Sequence, residues 1–295
     1  MDNFLTLVIL GLLLGGVYAL ISVGLNLIFG VIRIVNFAHG EIVMVAMYAT
    51  YFCVTRLDIS PYAAIVIVAP LMFGFGVLIQ RLLIQPLLNE PIMQIFATFG
   101  LMIALENVML VVSKGEALSL PRSGGEVMQI FGVSVSVARV LAFVAVTLIA
   151  VGLHLFLQRT MMGKAIRAIT QDKRAAASMG INVNRMFLLT FGIGAAITGV
   201  AGAILTPIYT LSPSIGSGFA LAAFAVVVLG GLGSVWGAYI GGIVVGLIEM
   251  FAGFYIDPSL KSAVWFLIFI AVLIVRPSGL LGTVGAEEVG LREQH

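Results

Sequence analysis

The chain has 295 residues, 61% of them hydrophobic and 9% charged, with a formal net charge of +2 and a mean hydropathy of +1.18. A soluble domain carries about a quarter charged residues, so this composition excludes a soluble enzyme, and the small net charge points to no nucleic-acid partner. The apolar runs are continuous rather than alternating, which favours helical spans over the strands of an outer-membrane barrel.

The expected fold is therefore an all-α integral membrane protein. It is a polytopic bundle of about eight or nine transmembrane helices with broken or re-entrant segments, forming a single domain over 1–295. The N-terminal Met1-Asp2-Asn3 lacks the basic start of a cleaved signal peptide, so the first apolar run, 4–29, is read as a permanent span with Gly15-Gly16 inside it.

The next stretch, "VIRIVNFAHGEI", places Asn36, His39, Gly40 and Glu41 between the first two runs. Two placements are open. In one, 31–40 is a turn near Arg33 and Glu41 opens the next helix, where the helix dipole favours an acid. In the other, the stretch is a membrane-embedded break that lines a translocation path. A proton-relay role for His39 is the weaker alternative to a simple backbone contact.

Further spans are expected at 41–56, 61–80, 92–113 and 138–157. Glu106 in the fourth run is a lone acid expected to make an intramembrane polar contact. The polar stretch 114–137 is the longest outside the basic loop, and the alternation in "VMQIFGVSVSV" around Phe131-Gly132 allows a small hairpin. Cys53 is the single cysteine, so an internal disulfide is excluded.

The loop 158–185 holds Arg159, Lys164, Arg167, Lys173, Arg174 and Arg185 against one acid, Asp172, and is expected to be cytoplasmic. Counting spans from it puts 114–137 in the periplasm and the C-terminal tail in the cytoplasm, and puts the N-terminus outside. Within the loop, Lys164, Arg167, Gln171, Arg174 and Ser178 recur at helical spacing, while Ile166, Ile169 and Ala176 fall off that face. This predicts one amphipathic helix over 164–179, stopped by Gly180. Such a helix either lies on anionic lipid or docks a soluble partner.

The last runs are 186–206, 219–232, 238–254 and 262–276. Gly230, Gly231 and Gly233 form either a tight turn with close packing or a second broken element facing the first across a pseudo-twofold axis. Glu249 is a second lone intramembrane acid. Asp257 and Lys261 fall at the outer rim, and Trp236 and Trp265 read as interface or packing residues.

Catalysis finds little support. There is no His-Glu-x-x-His, no clustered metal-ligand set and no phosphate-binding loop. Ser217 in "SIGSG" is flanked by glycine as an intramembrane nucleophile would be, but His39, His154 and His295 offer no triad setting. Any ATP used must be hydrolysed by another chain.

Three stretches in order carry a resemblance: "GLNLIFGVIRIVNFAHGEIVM", "MGKAIRAITQDKRAAASMGIN" and "AVVVLGGLGSVWGAYIGGIVVGLIE", closed by "RPSGLLG" at 276–282. Together they resemble the LivH-type permeases of branched-chain amino-acid ABC transporters, from about residue 10 to about 282. Ala175-Ala176 and Gly180 resemble the cytoplasmic ATPase-coupling motif of such permeases, with Arg174 standing where the motif has glutamate. The resemblance implies a path at Asn36, His39, Gly40, Glu41, Gly230, Gly231 and Gly233. It also implies ATPase coupling through Lys164, Arg167, Gln171, Asp172, Arg174, Ala176 and Gly180. The implied partners are a second homologous permease, two ATPases carrying ATP and magnesium, and a periplasmic binding protein, with no cofactor in this chain. It favours the embedded placement of 31–40. The alternatives are an ion-coupled transporter using His39, Glu41, Glu106 or Glu249, and an intramembrane hydrolase using Ser217.

Overall fold

The computed structural model describes residues 2–120, 127–276 and 279–282. The expected path of the tail beyond 282, with His295, and of 121–126 lies outside the described residues. Eleven α-helices and one two-stranded hairpin occur among those described.

Each predicted apolar run is a helix. In chain order they are α1 (Asp2–Ile32), α2 (His39–Leu57), α3 (Ile65–Ile79), α4 (Pro91–Ser113) and α5 (Val137–Arg159). After the basic loop come α8 (Val183–Leu205), α9 (Ile215–Gly230), α10 (Val235–Tyr255) and α11 (Lys261–Val275). Six stretches are long and apolar enough to cross a membrane: 3–32, 65–87, 91–113, 137–159, 183–205 and 235–255. Helices α9 and α11 are apolar but shorter, and α2 is not among the six, which are the helices of that kind among the described residues. Helix α3 runs on through one wide π-type turn at Gln80–Ile84, a feature common where a helix is locally reshaped.

Small residues set the packing. A Cβ at Gly15 would press on Ile243 of α10, and one at Gly246 on the Gly15 backbone. Helices α1 and α8 cross antiparallel. Gly24 faces Gly194 and Thr198, while Gly194 faces Ile28 and the Gly24 carbonyl. Without a hydrophobic force between helices in lipid, this backbone proximity is the main source of adhesion.

The pairings are reciprocal. Helix α1 packs on α10 and α8 packs on α3, while the start of α2 meets the start of α9. The chain thus contains two inverted units, α1–break–α2–α3 and α8–break–α9–α10, with breaks at 33–38 and 206–214. The partner of the first break is therefore 206–214. The glycines at 230–233 form the tight turn between α9 and α10.

That turn is pinned by one side chain. Asn26 on α1 is buried, its Oδ1 accepts from Gly233 N at 2.6 Å, and its Nδ2 donates to the Ser234 carbonyl at 2.5 Å. Gly231 (φ +113°) and Gly233 (φ +81°) adopt backbone conformations that a Cβ would strain. Residues 280–281 then pair with Leu229 and Gly230 through backbone bonds of 2.9 Å.

The sequence-predicted hairpin is present as β1 (Val127–Ile130) and β2 (Val133–Ser136). Its two-residue turn, Phe131-Gly132, has φ of +50° and +81°, as a right-twisted hairpin requires. Val133 and Val135 bury against Leu13 of α1.

Asn26→Ala removes a donor and an acceptor that two backbone groups of this turn depend on. It is expected to destabilise the bundle by about 2 kcal/mol, read as a lowered unfolding midpoint of the purified chain in detergent.

Candidate functional site: a buried junction of broken helices

Helix α1 ends at Arg33, whose φ is +59°. The chain then folds back along α1 instead of leaving the bundle. His39, the first residue of α2, donates from Nε2 to the Ile21 carbonyl at 2.9 Å. Ile21 precedes the end of α1 by eleven residues, or roughly 16 Å of helical rise. Helix α2 thus begins deep in the bundle, level with Ile21 of α1 rather than with its end.

Local chemistry explains the turn. Asn36 Oδ1 accepts from Ala38 N at 3.1 Å, an Asx-type turn, and the Asn36 carbonyl accepts from His39 N at 3.2 Å. The Thr98 hydroxyl of α4 reaches the Val35 carbonyl at 3.4 Å. The Phe37 ring lies 5.7 Å from Phe224 of α9 and 6.4 Å from Phe99 of α4.

Asn36, His39, Gly40 and Glu41 are all buried, at 1% exposure or less for the three polar side chains. A carbonyl can only accept, so His39 carries its proton on Nε2 and presents a bare Nδ1. Asn36 Nδ2, His39 Nδ1 and both Glu41 carboxylate oxygens have no hydrogen-bond partner. Buried polar groups are satisfied in the great majority of cases, so four such atoms within six residues mark this turn.

Glu41 sits in the first turn of α2 and faces Gly216, in the first turn of α9. A Cβ on Gly216 would collide with the carboxylate, and one on Gly40 with the Gly216 carbonyl and Ala220. Two helix N-termini, each carrying partial positive charge, therefore converge on one buried carboxylate. Glu106, half-buried on α4, is close enough to interact with Glu41 electrostatically. Sequence reasoning missed Gly216 and the start of α9. The available signal is the glycine-flanked "SIGSG", whose pattern by itself suggests a nucleophile setting. Ser217 Oγ instead donates to the Ser214 carbonyl at 2.9 Å.

Gly230, Gly231 and Gly233 lie at the far end of α9, fourteen or more residues along, or about 20 Å of rise from the junction. They pack against Gly237, Gly282 and Gly30. Glu249 is fully engaged: Tyr18 donates to Oε2 at 2.5 Å, and Lys261 Nζ lies 3.0 Å from Oε1. Asp257 accepts from Ser259 N at 2.7 Å. Trp265 is buried, and Trp236 stacks edge-on between His154 and Tyr239.

The basic loop folds as two helices, not one: α6 (Met161–Gln171) and α7 (Lys173–Ser178). Asp172 separates them and caps α7, accepting from Arg174 N and Ala175 N at 2.8 and 2.9 Å. Gly180 (φ +83°) closes α7, with Ile181 N bonded to the Ala176 carbonyl and Gly180 N to that of Ala177. Ile166, Ile169 and Ala176 are buried, as their spacing predicts, and Lys164, Arg167, Gln171 and Arg174 are exposed. Ala176 therefore anchors α7 to the bundle from below the outer surface. Arg33, at the start of the break, reaches the Thr170 carbonyl of α6 at 3.4 Å.

Residues 7–273 match the family described as the branched-chain amino acid transport system, permease component. The chain belongs to this permease family. It is 34% identical to the high-affinity branched-chain amino acid transport system permease protein BraD of Pseudomonas aeruginosa, over 97% of this chain and 98% of that one. It is 31% identical to the permease protein LivH of Escherichia coli, over 95% of this chain and 96% of that one. A shorter likeness, 29% identity over 52% of this chain, links it to a ribose import permease of Bacillus subtilis. No solved structure matches the chain.

Gly216→Val would insert a branched side chain where the Glu41 carboxylate lies. Overpacking of this kind should destabilise the bundle by about 3 kcal/mol, read as a loss of monodisperse protein in size-exclusion chromatography, with Gly218→Val as the tolerated control.

Proposed function

We propose that this chain is the membrane permease of an ATP-binding-cassette importer that moves branched-chain amino acids across the bacterial inner membrane. The observation that carries the reading is the pair of inverted helix–break–helix units whose broken ends meet around Glu41. Unwound backbone at membrane depth belongs where a path passes, and family membership says what kind of path it is.

In this reading the basic platform α6–α7 is cytoplasmic and the β1–β2 hairpin periplasmic. The working assembly adds a second homologous permease, two ABC ATPases carrying ATP and magnesium, and a periplasmic binding protein that delivers substrate. Asn36, His39, Gly40 and Glu41 lie on the path. The platform docks an ATPase through Lys164, Arg167, Gln171 and Arg174. Asp172 and Gly180 shape its surface. ATP-driven closure moves the platform, and Arg33 passes that movement to the start of 33–38. The two inverted units then exchange outward and inward opening.

The deciding experiment is mild-detergent purification of the tagged chain from its native membrane, followed by reconstitution. An ATPase pair and a second permease should co-purify, and leucine uptake should require both ATP and the binding protein. Recovery of the chain alone, transporting without ATP, would replace this reading with an ion-coupled one.

Reversing charge on the outer surface tests the platform. Arg167→Glu with Arg174→Glu is expected to lower ATP-dependent uptake at least about tenfold, while the chain still inserts and α6–α7 keep their buried anchors. Unchanged uptake in the double variant would remove the platform from coupling.

A further inference from the structure

Two intramembrane acids of this chain are treated in opposite ways. Glu249 has a partner on each carboxylate oxygen, Tyr18 and Lys261. Glu41 has none on either, although only 1% of it is exposed. A buried carboxylate left unpaired is strongly unfavourable, and the helix N-termini around it offset that only in part.

The start of α9 shows the complementary lack. Ser214 precedes the helix without a side-chain cap, so the amides of the first turn have no intrahelical acceptor. On the side away from Glu41 this turn is open. Ser214, Ser217 and Gly218 are exposed, and a Cβ at Gly218 would meet nothing within 4 Å. One turn of helix thus faces a buried carboxylate on one side and open space on the other. Two aromatic rings, Phe37 of the 33–38 break and Phe224 of α9, lie 5.7 Å apart.

We propose that Glu41 and the first turn of α9 form one subsite for the backbone of a zwitterionic amino acid. The Glu41 carboxylate takes the ammonium, and the amides of residues 216–218 take the carboxylate, as helix N-termini take anions generally. The apolar side chain then lies toward Phe37 and Phe224. The ligand is neutral overall, so its two ends supply the two charges that the junction lacks. The assignment rests on the amino-acid transport reading given above and names the groups that recognise the substrate in passage.

The test uses the purified permease–ATPase complex in lipid nanodiscs without the binding protein, so that only the permease's own selectivity is read. Saturation-transfer NMR measures weak binding of L-leucine and of its 2-hydroxy analogue, which keeps the carboxylate and the side chain but lacks the ammonium. Wild type should prefer leucine. Glu41→Gln should weaken leucine at least about tenfold, the loss of one charge-assisted hydrogen bond, and leave the hydroxy acid within about twofold. Ser217→Pro removes an amide that has no intrahelical acceptor, and should weaken both ligands alike.

A Glu41→Gln complex that keeps the wild-type preference overturns the subsite, because a purely structural role leaves that ratio unchanged. If Glu41→Gln yields no assembled complex, Ser217→Pro decides: equal weakening of both ligands supports the subsite, and unchanged binding overturns it. The underlying transport reading is checked separately by ATP- and binding-protein-dependent leucine uptake of the wild type. Failure there removes both, whereas uptake with an unaltered preference in Glu41→Gln removes the subsite alone.

Discussion

The structure depends on bringing two helix N-termini together deep in an apolar bundle. Each end carries roughly half a positive charge and several amides without intrahelical acceptors. Pressed together, they repel, and in a low-dielectric interior that repulsion is strong. Glu41 answers it from inside the first turn of α2, one residue after Gly40 and opposite Gly216. Glycine at both positions lets the backbones approach closely enough for one carboxylate to serve both helices. A side chain at either would separate them and leave each end to the surrounding hydrocarbon.

Much of the remaining architecture follows from that junction. For α2 to start at the level of Ile21, the chain must return into the bundle over 33–38 without a helix. Its backbone groups must then find partners. Asn36, Thr98 and the α2 amide of His39 provide them locally. For α9 to start at the same place, the chain must return over 206–214 after α8, and α9 must be short. The antiparallel crossing of α1 and α8 at Gly24 and Gly194 holds the two breaks in register. Arg33 joins the first break to α6, so a segment that lacks helical rigidity is tied to the basic platform.

The helices were legible in the sequence because hydrophobic run length is a strong signal in a membrane chain. All nine predicted windows lie on helices, and the hairpin and the Gly180 stop were equally plain, since each needs a left-handed residue at a fixed place. Depth was not legible. Hydropathy says that 41–56 and 219–232 are apolar, and says nothing of where along the bundle each begins. The break at 206–214 was invisible for the same reason: "TPIYTLSPS" reads as an ordinary loop. The glycines at 230–233 looked like the better counterpart to 33–38. They were instead the cost of a close turn held by Asn26, a residue whose buried amide carries no sequence pattern. Asp172 was read as one residue of a single helix, although Asp followed by a good helix former is also how a new helix starts.

The contrast between Glu249 and Glu41 separates what this bundle fixes from what it leaves free. Glu249 is held from two helices, by Tyr18 of α1 and by the half-exposed Lys261 of α11. Movement at that end would have to break these contacts. Glu41 breaks no hydrogen bond when α2 and α9 part, because it makes none. What holds the junction shut is glycine-to-backbone packing and the attraction of a carboxylate for two dipole ends, and both weaken smoothly with distance. A seal of this kind is tight when closed and has no single bond to break on opening. Those properties suit the alternating access proposed for this chain, and they sit where the starts of α2 and α9 meet.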